Sequence, residues 1–139
     1  MNKFDDQFID ETSSVYRELI GQKDAETKGA YTPIITAGSG TFTTVSATGY
    51  YIKQGSLVTD FFTVTITANG TSAAYILITS SHSITSDYCA GSSGETFLTG
   101  KQSLVRKGTS STFLMQQYDA AYPGGTGAIF TGSASYISE

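Results

Sequence analysis

The sequence has little of what metal sites and disulfide frameworks are built from. Its 139 residues include one cysteine, one histidine, two prolines and no tryptophan. A single cysteine excludes an internal disulfide, and we interpret Cys89 as a small buried or half-buried side chain. A single histidine excludes a metal site of several imidazoles, and the Ser/Thr-rich surroundings of His82 predict an exposed loop. We expect no metal and no other cofactor.

Charge and hydropathy argue against two further classes of protein. The net charge is −4, and no basic run is long enough to indicate nucleic-acid binding. No stretch approaches the roughly 20 apolar residues that a helix needs to cross a bilayer, so we expect no membrane insertion. The first residues, MNKFDDQFIDE, are acidic and lack an apolar core, unlike a signal peptide. We therefore expect a protein that is made in a cytoplasm and does not depend on secretion.

Groups for catalysis are also scarce in the second, larger part of the chain. Its carboxylates are Asp60, Asp87, Glu95, Asp119 and Glu139. A glycosidase needs two carboxylates about 5–10 Å apart, and only these five are available. No Gly-x-Ser-x-Gly elbow supports a serine nucleophile, and no glycine loop of the phosphate-binding kind is present. We expect no catalytic residue.

Residues 1–30 differ in composition from the rest of the chain. They hold seven acidic and four basic side chains, whereas residues 31–139 hold five and four. Residues 4–20 predict a helix that ends at Gly21, and residues 21–30 predict a polar linker. An isolated helix of this length is marginal in water, so it needs an oligomer, a groove on another protein or its own domain to pack on. The candidate anchoring or oligomerisation residues are Phe8, Ile9, Tyr16 and Leu19.

Residues 31–139 are rich in Thr, Ser, Gly, Tyr and Phe, which predicts an all-β domain. Its clearest strand, Leu57–Thr67, places Val58, Asp60, Phe62, Val64 and Ile66 on one face and mainly hydroxyl side chains on the other. Asp60 breaks the apolar pattern of its face. A buried carboxylate needs a partner, and we expect Lys53 to supply it across the turn at Gln54-Gly55-Ser56.

Short strands and turn signals alternate along the rest of this part. The predicted strands are Tyr31–Ala37, Thr41–Ala47, Gly49–Gln54, Ala73–Thr79, Ser83–Tyr88, Glu95–Leu98, Lys101–Arg106, Thr112–Tyr118 and Gly127–Ile137. Asn69-Gly70 predicts a hairpin between the long strand and the next. Gly91–Gly94 and Tyr122–Gly127 predict exposed turns. Small residues in the last strand predict close approach by a neighbour. The expected fold is an antiparallel, jelly-roll-like β-sandwich preceded by a short N-terminal α-helix.

The order of these motifs resembles a known family. Tyr31-Thr32-Pro33, then Gly49–Val58 (GYYIKQGSLV), then the closing strand Gly127–Ile137 are similar to the C-terminal β-sandwich module of bacteriophage tail fibres and other virion appendages. The sequence departs from that pattern where Tyr31 replaces a tryptophan, where Ser56 replaces an asparagine, and in lacking a Gly-Leu-Pro stretch. The resemblance implies a homotrimer, with residues 1–30 as neck or anchor and residues 31–139 as the β-domain.

Two hypotheses of function follow, with a third that is least favoured. The first is a short fibre or fibre-tip protein of the virion, assembled in the host cytoplasm and held to other virion proteins by its N-terminal segment. Its β-sandwich would bind a host-surface glycan, with Tyr88, Tyr118 and Tyr122 as candidate receptor-binding residues. The second is a capsid decoration or cement protein without a receptor role, which the brevity of the chain favours. The third is a carbohydrate-cleaving enzyme.

Overall fold

The computed structural model describes residues 26–139. The predicted N-terminal helix, with Phe8, Ile9, Tyr16 and Leu19, lies outside the described residues. The strands are β1 (Glu26–Tyr31), β2 (Ile35–Ser39), β3 (Thr44–Gln54), β4 (Leu57–Ala68), β5 (Ala73–Thr79), β6 (Cys89–Glu95), β7 (Gln102–Lys107), β8 (Thr112–Gln116) and β9 (Ile129–Ile137).

All nine strands are hydrogen-bonded in one antiparallel sheet, in the order β1-β3-β4-β9-β6-β7-β8-β5-β2. The sheet curls on itself, as a contact between distant strands shows. The ring of Phe62 on β4 stacks on that of Phe113 on β8 with 6.5 Å between centroids, although three strands separate β4 from β8. Phe113 also contacts Tyr136 of β9 edge-on. The prediction of an all-β, antiparallel domain is therefore confirmed.

The strand β4 supplies the centre of the core. Val58, Asp60, Phe62, Val64 and Ile66 are buried, whereas the side chains that alternate with them are half-buried or exposed, as the period-2 pattern predicts. The residues packed with them from other strands include Ile76, Ile78, Phe113, Met115, Phe130 and Tyr136. Gly55, with φ of 61°, forms the predicted turn into β4, where a left-handed backbone favours glycine.

The segment Gly91–Gly94 is a strand, so its prediction as an exposed turn is wrong. It lies within β6, between β9 and β7. Small residues are needed there because the two backbones lie close: a Cβ on Gly91 would fall 2.1 Å from the carbonyl oxygen of Ser133. Gly132 of β9 is equally confined, with Ser93 Cβ at 2.5 Å. The predicted close approach to the last strand is confirmed, and its partner is β6.

The turn at Asn69-Gly70 does not form the predicted hairpin. Both edges of β4 are already occupied, by β3 and β9, and β5 pairs with β2 and β8 instead. The turn therefore carries the chain from one side of the curled sheet to the other. The predicted strand Ser83–Tyr88 is also absent, because these residues form a connection without regular structure.

The first two strands bound the seam of the curled sheet. β1 pairs with the second half of β3, so residues 26–30 of the predicted linker belong to an edge strand. β2 lies at the other end of the strand order and pairs with β5. A cavity of about 240 Å³ lies at the seam between β2 and β3 and is lined in part by Ile35, Phe42 and Val45.

Because the strands from β2 onward alternate in direction, the connections between them fall at two ends of the molecule. We call one the basal end; it comprises Glu26, where β1 begins, and the connections 55–56, 80–88 and 108–111. The other is the distal end, which comprises connections 40–43, 69–72, 96–101 and 117–128. Hydrogen bonds join the connections within each end, for example Ile84 to Ser110 at the basal end and Thr71 to Thr41 at the distal end.

Candidate functional site

The three tyrosines predicted from the sequence as candidate receptor-binding residues do not form one cluster. Tyr88 lies in the basal connection 80–88 and is 81% exposed. Tyr118 lies at the distal end and is 86% exposed. Tyr122 is also at the distal end but is half-buried. Tyr118 is therefore the one of the three that is both open to a partner and remote from Glu26.

Tyr122 has a role in the fold. Its ring packs against the core, and its hydroxyl donates a 2.6 Å hydrogen bond to Oδ1 of Asn69. Burial raises the pKa of Tyr122 to about 12. The side chain thereby ties the connection 117–128 to the turn after β4, and it leaves little surface for a ligand.

A residue that sequence reasoning passed over organises the distal end. Glu95, the last residue of β6, is 3% exposed. Its Oε1 accepts hydrogen bonds from the main-chain N–H groups of Phe97, Leu98 and Ile129 at 2.8, 2.8 and 3.1 Å. Its Oε2 accepts from Leu98, Thr99 and Gly100. One carboxylate therefore fixes the whole turn 96–100 and links it to β9.

These bonds determine the charge state of Glu95. Burial alone would raise the pKa of this carboxyl, but hydrogen bonds from the main-chain N–H groups of Thr99, Leu98, Ile129 and Phe97 outweigh burial and hold the pKa well below its usual range. Glu95 is ionised in the folded protein, with its negative charge enclosed by donors. Its carboxylate is consequently occupied and is not available to a substrate.

The turn that Glu95 holds displays two apolar side chains to solvent. Phe97 is 76% exposed and Leu98 is 52% exposed, and Gly125 of the neighbouring connection lies beside Leu98. Tyr118 is exposed at the same end. We call Phe97, Leu98 and Tyr118 the distal tip. Exposed apolar side chains on a main chain held in one conformation are typical of binding sites, since the main chain loses little conformational entropy when a partner covers them.

Charges are sparse around the distal tip. The four distal connections contain two charged side chains, Lys101 and Asp119, whose charges are opposite. The basal end also contains two charged side chains, Glu26 and Asp87, but both are acidic. Lys107 of β7 lies beside Asp87, with its Nζ 3.4 Å from Oδ1. The charges of the distal connections therefore cancel, whereas those of the basal end have one sign, which suits the tip for a partner surface without strong charge.

The sequence contained a partial signal for this site. Residues 95–100 read E-T-F-L-T-G, in which an acidic residue precedes an apolar pair and a glycine. The sequence predicts a strand over Glu95–Leu98, but only Glu95 belongs to one. The five main-chain donors on a single carboxylate depend on the tertiary position of β9, which periodicity does not reveal.

Asp60, the other buried carboxylate, is also fully engaged. The main-chain N–H of Ser81 and the hydroxyl of Tyr136 donate to its Oδ2 at 2.8 and 3.0 Å, and the Ser81 hydroxyl donates to Oδ1. Lys53 is not its partner, because Lys53 pairs with Val58 in the β3–β4 register and Tyr51 lies opposite Asp60. The predicted ion pair is wrong, and hydroxyl and main-chain donors take its place.

The surroundings of Asp60 make one polar cluster beneath connection 80–88. His82 is half-buried rather than exposed, with Nδ1 2.8 Å from the Ser81 hydroxyl and its ring edge-on to Tyr51. Burial raises the pKa of Tyr136 to about 12, with the Asp60 charge adding to the rise. The serine here bonds directly to the aspartate, which is not the serine–histidine–aspartate relay of a hydrolase. The cluster fastens the basal connection to the core.

The part of the chain that the structure describes shows neither a metal-binding cluster nor a membrane-spanning helix. Among residues 26–139, no group of three or more His, Cys, Asp or Glu side chains is placed to hold a metal ion. Over the same residues, no helix is long and apolar enough to cross a membrane. Burial raises the pKa of the Cys89 thiol, which favours its uncharged form.

Comparison with protein-family models, with curated proteins and with solved structures finds no match to this chain.

Proposed function

We propose that the chain is a non-enzymatic structural protein of a bacteriophage virion, a homotrimeric short fibre or fibre-tip module. In this proposal its N-terminal segment attaches it to other virion proteins, and the distal tip contacts the host surface, where a glycan is the expected receptor. The observation that carries the proposal is the turn 96–100, where a buried Glu95 holds Phe97 and Leu98 exposed in a nearly uncharged setting.

The placement of the two ends supports this arrangement. β1 begins at Glu26 on the basal end, so the preceding residues join the domain on the side opposite the distal tip. An attachment segment and a contact surface at opposite ends are what an appendage requires. The stretch Gly49–Val58, which carries the family resemblance, spans the second half of β3 and the turn into β4.

Unpaired strand edges support oligomerisation. Among the described residues, β1 and β2 end the strand order, and Thr44–Thr48 of β3 has a neighbour on one side only. Such edges carry free N–H and C=O groups that other chains cover readily. In the proposed homotrimer, neighbouring subunits cover them. We further propose that the curled sheet is a jelly-roll-like sandwich and that a short α-helix precedes it in the N-terminal segment.

Adsorption of the full-length protein to host cells tests the contact surface. We expect Phe97→Ser combined with Leu98→Ser to reduce adsorption at least tenfold. Tyr88→Ser is the matched control, because it removes an equally exposed aromatic side chain from the basal end. Unfolding midpoints of both variants within the error of wild type would show that the fold is intact. Equal adsorption of the double variant and wild type would refute the role of the tip.

Deletion of residues 1–25 tests the attachment. These residues precede β1, so we expect the truncated chain to fold, as judged by an unchanged cooperative unfolding transition, and to be missing from purified virions. Incorporation at the wild-type level would contradict attachment through this segment. Should virions without the chain adsorb normally but lose capsid stability on heating, the protein is instead a capsid decoration protein, the alternative that the sequence leaves open.

A further inference from the structure

The solvent-facing side of β3, β4 and β9 carries two adjacent rows of side chains that the distal tip does not involve. In the first row, Tyr50 of β3 lies opposite Phe61 of β4. In the second row, Thr48 lies opposite Thr63, and Thr63 lies opposite Thr131 of β9. Side chains that face each other across an antiparallel pair have Cβ atoms about 4.5–5.5 Å apart. The first row is therefore a continuous aromatic platform and the second a line of three hydroxyls.

A shallow cavity of about 230 Å³ lies along these rows. Its walls are Tyr50 and Phe61 on one side and Thr48, Thr63 and Thr131 on the other. Main-chain atoms of Gly132 in β9 also line it. We call this cavity the hydroxyl groove. It is smaller than the roughly 300–1,000 Å³ pockets that enclose drug-sized ligands, and so it suits a single ring in an open site.

The chemistry of the hydroxyl groove selects one class of ligand. Its lining residues include no ionisable group other than the phenol of Tyr50, so a charged ligand would find no countercharge. Tyr50 is 41% exposed and Phe61 is 44% exposed, and the negative faces of aromatic rings attract the C–H edges of a saturated ring. Threonine hydroxyls both donate and accept hydrogen bonds, as sugar hydroxyls do.

We propose that the hydroxyl groove binds one neutral pyranose unit of a glycan, stacked on Tyr50 and Phe61 and hydrogen-bonded to Thr48, Thr63 and Thr131. This assignment rests on the proposed function, because it names the ligand class of the host-surface contact and places it on the side of the sheet. In this proposal the distal tip contacts the host surface first, and the hydroxyl groove on the side of the sheet then binds one sugar unit of the same surface. The absence of formal charge on both the groove and a neutral sugar favours this ligand over an acidic one.

Titration of the full-length, isotope-labelled protein with neutral sugars tests the groove. The probes are the methyl glycosides of glucose, galactose, mannose and N-acetylglucosamine, with glucuronate as the charged comparison. We expect at least one neutral glycoside to shift the amide resonances of Thr48, Tyr50 and Thr63 with saturation, while glucuronate shifts them little. Saturating glucuronate binding, or no saturating shift with any neutral glycoside, would overturn the proposal.

Two pairs of variants assign the binding to side chains. We expect Phe61→Ala to weaken the sugar at least tenfold, whereas Leu57→Ala, four residues away on the same exposed face, leaves affinity unchanged. We expect Thr63→Val, which replaces a hydroxyl by a methyl group, to weaken it about fivefold, as loss of one hydrogen bond does, whereas Thr67→Val has no effect. Equal effects within each pair would overturn the assignment.

The two proposals fail in distinguishable ways. A groove without sugar binding, combined with lost cell adsorption in the Phe97/Leu98 double variant, overturns the groove and leaves the proposed function standing. Sugar binding without any adsorption to cells overturns the proposed function and leaves the groove. The competing occupant of this face is a second copy of the chain. A change in sedimentation on Phe61→Ala would indicate that occupant and overturn the sugar site.

Discussion

Glu95→Gln is the single substitution that best tests how the distal tip is built. The amide keeps the size of the side chain but replaces one oxygen by an NH₂ group. If the NH₂ group replaces Oε1, it faces the N–H donors of Phe97 and Ile129. If it replaces Oε2, it faces those of Thr99 and Gly100. At least two main-chain N–H groups that point at the buried side chain of residue 95 then lose their acceptor.

The magnitude follows from those orphaned donors. A fully buried group left without its partner costs about 1–3 kcal/mol, and two would cost about 2–6 kcal/mol. The donors here belong to exposed or half-buried residues, so we expect a loss at the lower end, about 2 kcal/mol. Domains of this kind are stable by about 5–15 kcal/mol, so the loss is a large share of the total. Urea unfolding at pH 7 measures it, with Glu139→Gln as the control because it removes the same charge from an exposed position.

The effect of Glu95→Gln on the free energy of unfolding should also depend on pH. The ordinary pKa of a glutamate, 4.5, is lowered in the folded protein by the main-chain donors, despite burial. Below pH 4.5 the unfolded chain therefore binds more protons than the folded one, and stability from Glu95 declines as the pH falls towards the folded-state pKa. The stability gap between wild type and Glu95→Gln should narrow from pH 7 to pH 3. A gap that is absent at pH 7, or constant with pH, would refute the reasoning.

Three further substitutions test the packing, each by urea unfolding. Asp60→Ala leaves the donors of Ser81 and Tyr136 without an acceptor, and we expect a loss of about 3 kcal/mol; a loss below about 1 kcal/mol would show that Asp60 is not a structural anchor. Tyr122→Phe removes the bond to Asn69 and should cost about 1 kcal/mol, with no cost if the hydroxyl is dispensable. Gly132→Ala places a Cβ 2.5 Å from that of Ser93 and should cost about 1–3 kcal/mol. Gly94→Ala is its control, because that Cβ meets nothing within 4 Å; equal losses would contradict the close approach of β6 and β9.

The fold was predictable from sequence where local pattern and tertiary environment agree. β4 has one buried and one solvated face, so its alternation in sequence is also its alternation in burial. Gly91–Gly94 has a turn-like composition but a strand conformation, because contact between β6 and β9 demands small residues. Asn69-Gly70 is a turn in both sequence and structure, yet the pairing of β4 with β3 and β9 excludes the hairpin.

The sites were less predictable because they depend on residues far apart in sequence. Tyr118 is exposed at the distal end, but no periodicity distinguishes it from Tyr122, whose hydroxyl donates to Asn69. Asp60 was recognisable as exceptional, but its partners lie 21 and 76 residues away, in Ser81 and Tyr136. The exposure of Phe97 and Leu98 likewise depends on how Glu95 is enclosed by its own turn and by β9.

Electron cryomicroscopy of intact virions tests the central proposal most directly, because it shows where the chain lies and which end points outward. The account predicts three copies around a threefold axis, with Glu26 towards the particle and Phe97 and Leu98 at the outer extremity. The distal tip buried against the particle, or single copies spread over the capsid, would contradict it.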